Sequence, residues 1–336
     1  MSIYKKEYFG IARKIVSNMT SESWEQIPHT AFSYEADVTE MMKYYHQLNE
    51  KISDPAKKIT VNTLVLKIIC EGLKATPKMN TTLDFSRKFV RGTLNYHDNI
   101  DISMPMILKT GEMMTVNLHD MGSKSLPEMA GAIANTVKRA EHSDMNEVMF
   151  EVSMDNTLKG LKKGKITQTL CRLFGSKTPG KHKVKTLTGK HKKEYYSIPK
   201  EQRLTKHDIE QGTTTISNLG SVYRGQKGQC FLLEIIPPQT TAFAVNAIQD
   251  RAVVITDENG CKKIEIRQIL PITVTIDHRA LDYGDCVPFF QKLDQIFEEP
   301  QIILNWTGKA ADQSVVINHE KELKFEKQFE DSAIAV

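Results

Sequence analysis

The chain has 336 residues, 40% hydrophobic and 26% charged, with a formal net charge of +4, which is material for one large or two ordinary globular domains. Eighteen glycines and twelve prolines are too few for a collagen-like or low-complexity chain, and no apolar run approaches the roughly 18 residues of a membrane span. Five scattered cysteines, never spaced CxxC, and a start (MSIYKKEYFGIARK) without the apolar core of a secretory signal exclude a disulfide framework and a cysteine-built zinc site, so the expectation is a reduced, cytoplasmic protein with no transmembrane segment and no metal.

Thr39 to Lys51 has helical spacing, with Met41, Met42, Tyr45 and Leu48 on one stripe and Asp54-Pro55 as its stop. Asn62 or Thr63 is placed to cap a second helix, in which Leu64, Leu66, Ile68, Ile69 and Leu73 are apolar nearly all round. Such a helix is buried, and Pro77 ends it. Asn99 to Leu108 alternates as a strand does, ahead of a Thr110-Gly111 turn. Ser125, Leu126 and Pro127 open a third helix through Met129, Ile133 and Val137, with Ser125 as cap and the proline in the tolerated first turn.

Charge then becomes uneven. Between Leu158 and Arg203 stand fourteen Lys/Arg and two acidic residues, Glu194 and Glu201, a local balance of +12 that leaves −8 for the rest of the chain. Gly160, Gly164, Gly175, Pro179, Gly180 and Gly189, with few large apolar residues, make residues 146–203 read as a solvated, partly flexible basic insertion. It is either a loop with no ligand of its own or an electrostatic dock for something anionic: an acidic carrier protein, the phosphates of a coenzyme, or a membrane surface. Nucleic acid is not expected, because Phe174, Tyr195 and Tyr196 are not interleaved with the basic residues as a stacking platform would be.

Three short strands follow: Gly212 to Ile216, Thr240 to Ile248, and one carrying Ile272, Val274 and Ile276 at period two. A last helix carries Phe289, Phe290, Leu293, Ile296 and Phe297, and Pro300 marks its end. Because proline fits a helix only in its first turn, Pro288 places the start near Asp285 rather than Asp282. No repeat of 20 to 50 residues is visible.

The chemistry-bearing stretch is Ile272 to Phe290, ITVTIDHRALDYGDCVPFF, in which a strand runs into Asp277, His278 and Arg279 and an aspartate follows four residues after the histidine. A strand end holds an imidazole on a rigid frame, and with a pKa near ~6.5 it is able to act as a base at neutral pH. On spacing alone, a core or surface histidine is the simpler reading of His278. The stretch resembles the HxxxDG signature of the chloramphenicol acetyltransferase-like superfamily, and most closely the catalytic core of 2-oxo acid dehydrogenase dihydrolipoamide acyltransferases. Gln211 to Gly220, QGTTTISNLG, is similar to that family's serine strand, and Ile236 to Val245, IPPQTTAFAV, to the strand after it. Ile27-Pro28-His29, the helix around Val61 to Lys67, Pro77-Lys78-Met79-Asn80 and Lys124-Ser125-Leu126 also fit, so the likeness covers roughly Ile11 to Leu304.

The resemblance implies an α/β (α+β two-layer sandwich) fold with a mixed β-sheet covered by helices. It implies an acyltransferase core over residues 1–145 and 204–304, split by the 146–203 insertion and followed by a C-terminal extension, 305–336. It also implies that His278 is the general base, Ser217 the donor to the oxyanion of the tetrahedral intermediate, and Asp282 a mostly structural aspartate. Read as residues alone, Ser217 remains open as a strand-end turn serine and Asp282 as a helix-start aspartate. No cofactor is expected to be tightly bound; coenzyme A or a phosphopantetheine thioester enters as substrate, with Lys181, Lys183 and Lys192 as candidate contacts to an anionic donor. Partners implied are two further copies in a homotrimer, or multiples of it, with an acyl carrier or a lipoyl-bearing protein.

Departures qualify the match. Tyr283 stands where the signature has glycine, and Gly111-Glu112-Met113-Met114-Thr115-Val116 replaces a Gly-Leu-x-x-Pro-Val stretch. About a dozen residues precede the first matching segment, so the expectation is a chain without its own lipoyl arm or subunit-binding domain. Two rivals stay in view: a non-catalytic trimeric scaffold of the same fold, and a peptide-synthetase-type condensation enzyme, which would need two fold copies where one histidine motif is present.

Overall fold

The computed structural model describes residues 2–50, 52, 54, 58–107, 113–162, 166–177 and 186–308. Helix α1 (Ile11–Gln26) leads into strand β1 (His29–Asp37), followed by helices α2 (Thr39–Glu50) and α3 (Val61–Ala75). A 3-10 turn at Pro77–Met79 opens a hairpin of β2 (Thr81–Ser86) and β3 (Arg91–Tyr96), and then come β4 (Ile102–Ile107) and β5 (Met113–Leu118). Four helices follow: α4 (Leu126–Glu141), α5 (Met145–Lys162), α6 (Ile166–Lys177) and α7 (Gly189–Ser197). The last third supplies β6 (Thr214–Asn218), the one-turn α8 (Leu219–Val222), β7 (Thr241–Val245), β8 (Gln249–Thr256), β9 (Lys262–Asp277) and α9 (Tyr283–Glu298).

Seven strands form one mixed sheet in the order β1-β9-β7-β6-β4-β5, with β8 pairing β9. The β4/β6 and β6/β7 pairs are parallel and the others antiparallel. At sixteen residues β9 serves two purposes: its first half makes an exposed arm with β8, and its second half runs buried between β1 and β7. The expected mixed sheet covered by helices is the architecture observed. Among the described residues no helix is long and apolar enough to cross a membrane.

Helix α3 is the pillar of the core. Every residue from Thr63 to Cys70 is buried, which its all-round apolar sequence requires, and each such Leu or Ile contributes roughly 1.5–3 kcal/mol. It packs against α9 so closely that a Cβ on Gly72 would sit 2.6 Å from the Phe289 ring. Phe289 in turn stacks on Phe243 of β7 with ring centroids 5.3 Å apart, tying α9 to the sheet. The strand end that follows β9 is therefore braced from two sides.

Several boundaries differ from expectation. The α3 cap is Thr60, whose hydroxyl accepts from the Thr63 N–H at 3.1 Å, so Asn62 and Thr63 lie in the first turn. Ser125 does cap α4, with Glu128 accepting from its N–H at 2.8 Å. Helix α9 starts at Tyr283, not near Asp285, and Pro288 lies inside it. Asp282 and Asp285 cap one another across the first turn, Asp282 N–H to Asp285 Oδ2 at 2.9 Å, and this outweighs the one bond Pro288 withholds from the turn before it. The Thr110-Gly111 turn, Glu112 and the extension beyond residue 308 lie outside the described residues.

The basic block is not uniformly solvated. Tyr195 and Arg203 are buried, with the Arg203 guanidinium 4.9 Å from the Tyr195 ring centroid. Arg139 of α4 grips Asp208 through two bonds, 2.7 and 2.8 Å. The Arg203 guanidinium lies over the tyrosine ring and its Nε donates to the Ile198 carbonyl oxygen at 3.3 Å, and so the segment that follows α7 is packed onto the frame.

Candidate active site

His278 is the first residue beyond β9. Ile272, Val274 and Ile276 are fully buried along one face of that strand, and the backbone ladder continues past its end: Asp277 N–H donates to Thr240 O at 2.9 Å and His278 N–H to Pro28 O at 3.0 Å. The turn is clamped by Asp277, a fully buried carboxylate held by Arg279, with Nε to Oδ1 at 3.0 Å and Nη2 to Oδ2 at 2.6 Å. The Arg279 guanidinium lies 5.7 Å from the Phe85 ring centroid, which fixes it in turn. A buried charge pair satisfied this fully is rigid, because breaking it would strand a charge in the interior.

On this frame His278 is half exposed. Its Nδ1 is 3.1 Å from the Leu281 carbonyl oxygen, and Asp282 Oδ1 lies 3.4 Å away. A carbonyl only accepts, so Nδ1 carries the proton and Nε2 keeps its lone pair, with no bond to Nε2 among the described residues. That is the tautomer a base needs. Asp282 is well exposed and caps α9, so the motif aspartate holds the loop behind the imidazole. Burial raises the Asp285 carboxyl, but the Asp282 N–H and the Lys78 ammonium, 2.8 Å from Oδ1, outweigh it and hold the group below its ordinary range. Tyr283 takes the glycine position of the signature without strain: its φ is not left-handed, and its ring packs edge-on against Phe32, centroids 4.9 Å apart.

Ser217 is the penultimate residue of β6, half-buried, with no hydrogen-bond partner for its hydroxyl among the described residues. Asn218 beside it is held twice: Oδ1 accepts from Ser221 N–H at 2.9 Å and Nδ2 donates to Asn62 Oδ1 at 2.8 Å. The turn needs Gly220, since a Cβ there would stand 2.7 Å from the Asn246 carbonyl oxygen and the Ala247 Cα, both backbone atoms. The QGTTTISNLG pattern is thus a strand followed by a close backbone crossing.

These two residues do not meet within one chain. Ser217 is level with Ala244 of β7, which is level with Thr273 of β9. His278 lies five residues farther along, which at about 3.3 Å per residue and about 4.8 Å per strand puts the two roughly 19 Å apart. Surface depressions of about 400 Å³, lined by Lys6, Glu7, Tyr8, Phe9 and Lys14, and about 320 Å³, beside Met154 and Tyr196, include neither residue.

His29, named in the sequence only as part of a matching tripeptide, stands opposite Asp277 in the β1/β9 ladder. Its Nε2 accepts from Ile235 N–H at 3.2 Å, its Nδ1 is buried without a partner among the described residues, and burial lowers its pKa, against the pull of Asp277 and Glu234. A proline-histidine pair at a helix-to-strand junction was the only sequence signal for it. Of the candidate donor contacts, Lys181 and Lys183 lie outside the described residues. Lys192 is 3.8 Å from Glu147, a fully buried carboxylate, and 5.8 Å from the Tyr196 ring centroid. Among the described residues no three metal-ligating side chains converge.

Comparison with known proteins adds the following. The family model for the 2-oxoacid dehydrogenases acyltransferase (catalytic domain) matches residues 4–153 and 188–305. The dihydrolipoyllysine-residue acetyltransferase component of the pyruvate dehydrogenase complex of Rickettsia felis is 22% identical over 293 residues, 87% of this chain and 53% of that protein. The chain thus spans about half the length of the curated relatives it matches. Among solved structures, a probable dihydrolipoamide acetyltransferase from Listeria monocytogenes superposes with a TM-score of 0.58 at 19% identity, covering 92% of this chain and 98% of that one. The dihydrolipoamide acetyltransferase of Azotobacter vinelandii gives 0.60 at 18%, covering 90% and 94%. The fold is shared with both.

Proposed function

The chain belongs to the 2-oxoacid dehydrogenases acyltransferase (catalytic domain) family, and on that premise we propose that it moves an acyl group from a thioester to a thiol, amine or hydroxyl acceptor. The donor is a thioester of coenzyme A or of a phosphopantetheine or lipoyl arm. His278 Nε2 takes the proton of the acceptor as that group attacks the thioester carbonyl. The Ser217 hydroxyl donates to the resulting oxyanion. As the tetrahedral intermediate collapses, the carbon–sulfur bond breaks and the leaving thiolate takes the proton back from the imidazolium. No covalent acyl-enzyme is needed.

The observation that carries this reading is the His278 Nδ1 bond to the Leu281 carbonyl, which leaves Nε2 basic on a braced strand end. The Azotobacter vinelandii relative supports the residue roles, since a serine, a histidine and an asparagine four positions beyond that histidine have roles in its catalytic mechanism; Ser217, His278 and Asp282 stand in the same order here. The offset of about 19 Å between Ser217 and His278 supports a site shared between copies of the chain, in a homotrimer or a multiple of it.

The test is thiol release from a panel of acyl-coenzyme A and acyl-carrier donors with mixed thiol, amine and alcohol acceptors, wild type beside His278→Ala. Acceptor-dependent release that the variant loses is the expected result. Equal rates in both proteins would remove His278 as base, and no release by either from any donor would leave the scaffold reading in its place.

A further inference from the structure

The family match breaks between residues 153 and 188, and what fills the break has a chemistry of its own. Residues 159–185 contain nine Lys/Arg and not one Asp or Glu. The end of α5 and the whole of α6 lie in this stretch. Helix α6 shows one side to the protein: Thr169 is buried and α6 packs on α5. Its other side carries Ile166, Leu170 and Phe174, one turn apart, at 57, 58 and 77% exposure, and Leu158 and Leu161 of α5 extend the apolar surface.

We propose that this inserted helical pair docks on an anionic lipid bilayer, with α6 lying in the plane of the headgroups. Three features select that occupant. The apolar groups of α6 form a row of exposed aliphatic and phenyl side chains, Ile166, Leu170 and Phe174, of the kind that sinks into an acyl-chain boundary. The charge is of a single sign over 27 residues, a non-directional match to a sheet of phosphates rather than to a patterned protein face. Apolar row and basic charge fall in one inserted stretch: α6 carries the row with Arg172 and Lys177, and the other seven Lys/Arg flank it in sequence, a composition suited to a membrane surface. A dock for a soluble anionic donor would use the charge and leave the row in water.

Co-sedimentation of the full chain with vesicles of phosphatidylglycerol and phosphatidylcholine, against phosphatidylcholine alone, tests this without reference to any acyl transfer. The expected result is binding to the anionic vesicles, at least tenfold weaker on the neutral ones, and weakened by raising salt from about 0.1 to 0.5 M as the Debye length shrinks. Leu170→Ser with Phe174→Ser changes exposed side chains only, and its circular dichroism spectrum should match wild type while vesicle binding falls at least tenfold. Equal binding to neutral vesicles, binding that survives the double substitution, or binding to an acidic carrier protein with none to vesicles would each overturn the proposal.

Discussion

Ser217 and His278 lie on one sheet, two strands apart, with His278 five residues beyond the level of Ser217. A base and an oxyanion donor must each come within about 3 Å of the same reacting group, so this offset forbids the two residues of one chain from sharing a substrate. On the roles proposed for them, a copy that contributes its histidine borrows a serine from another copy.

Hybrid complementation follows from that geometry. His278→Ala and Ser217→Ala proteins, each about 10²-fold or more slower alone, should regain activity when unfolded and refolded together. Random mixing in a trimer leaves about a quarter of the interfaces with both groups intact, hence about a quarter of the wild-type rate. A mixture no more active than its components would mean that both groups act within one copy.

Ser217→Ala alone should lower kcat by about 10²–10³ with little change in KM for the donor, because the hydroxyl is needed only when charge develops on oxygen. A rise in KM at constant kcat would instead make Ser217 a binding residue. His278→Ala should cost about 10²–10⁴ in rate.

Acid stability is tied to Asp208. Burial raises its carboxyl, but the bidentate Arg139 guanidinium and the Thr205 N–H and hydroxyl prevail, and the group sits below its ordinary 3.8. A depressed carboxylate stabilises the fold in full above the unfolded value and loses that contribution as pH falls through the folded one. Urea unfolding across a pH series should therefore show stability dropping below about pH 4. Asp208→Asn should lose about 3 kcal/mol at pH 7 and flatten the acid limb; parallel curves for the two proteins would assign the acid loss to other groups.

Gly220→Ala places a methyl against two backbone atoms that have nowhere to go. An expected loss of about 1–3 kcal/mol in stability comes with a displaced Ser217 and a fall in kcat. A variant with an unchanged urea midpoint and rate would show that the β6 turn has slack.

The strands and helices that bury a whole face were legible in sequence: α3 from its unbroken Leu/Ile run, the second half of β9 from Ile272, Val274 and Ile276, and α4 from Ser125 and Pro127. The hairpin of β2 and β3 was not, because RGTLNY is largely exposed, TTLDFS buries only Thr81, and the two are joined by Arg87-Lys88-Phe89-Val90, a turn without the Asn-Gly or Asp-Gly signal. The expected α9 start near Asp285 gave the Pro288 rule too much weight; the helix-start reading of Asp282 matches the observed start, where Asp282 and Asp285 cap one another at i, i+3. At the candidate site, the HRALD stretch pointed to His278 and Asp282, and QGTTTISNLG to Ser217. The Arg279 clamp on Asp277, the Asn62–Asn218 bond and His29 depend on strands far apart in sequence, and no spacing rule reaches them.

Leu187 N–H donates to Glu147 Oε1 of α5 at 2.6 Å, bringing together two residues forty apart in the chain. Val148 and Met149, just past Glu147, are buried in the core, so the stretch this stem sets apart is the one between residues 153 and 188, where the family match breaks. A change of that stretch leaves the packed frame behind the stem as it is, which makes it a graft site for addressing the protein to a surface of choice.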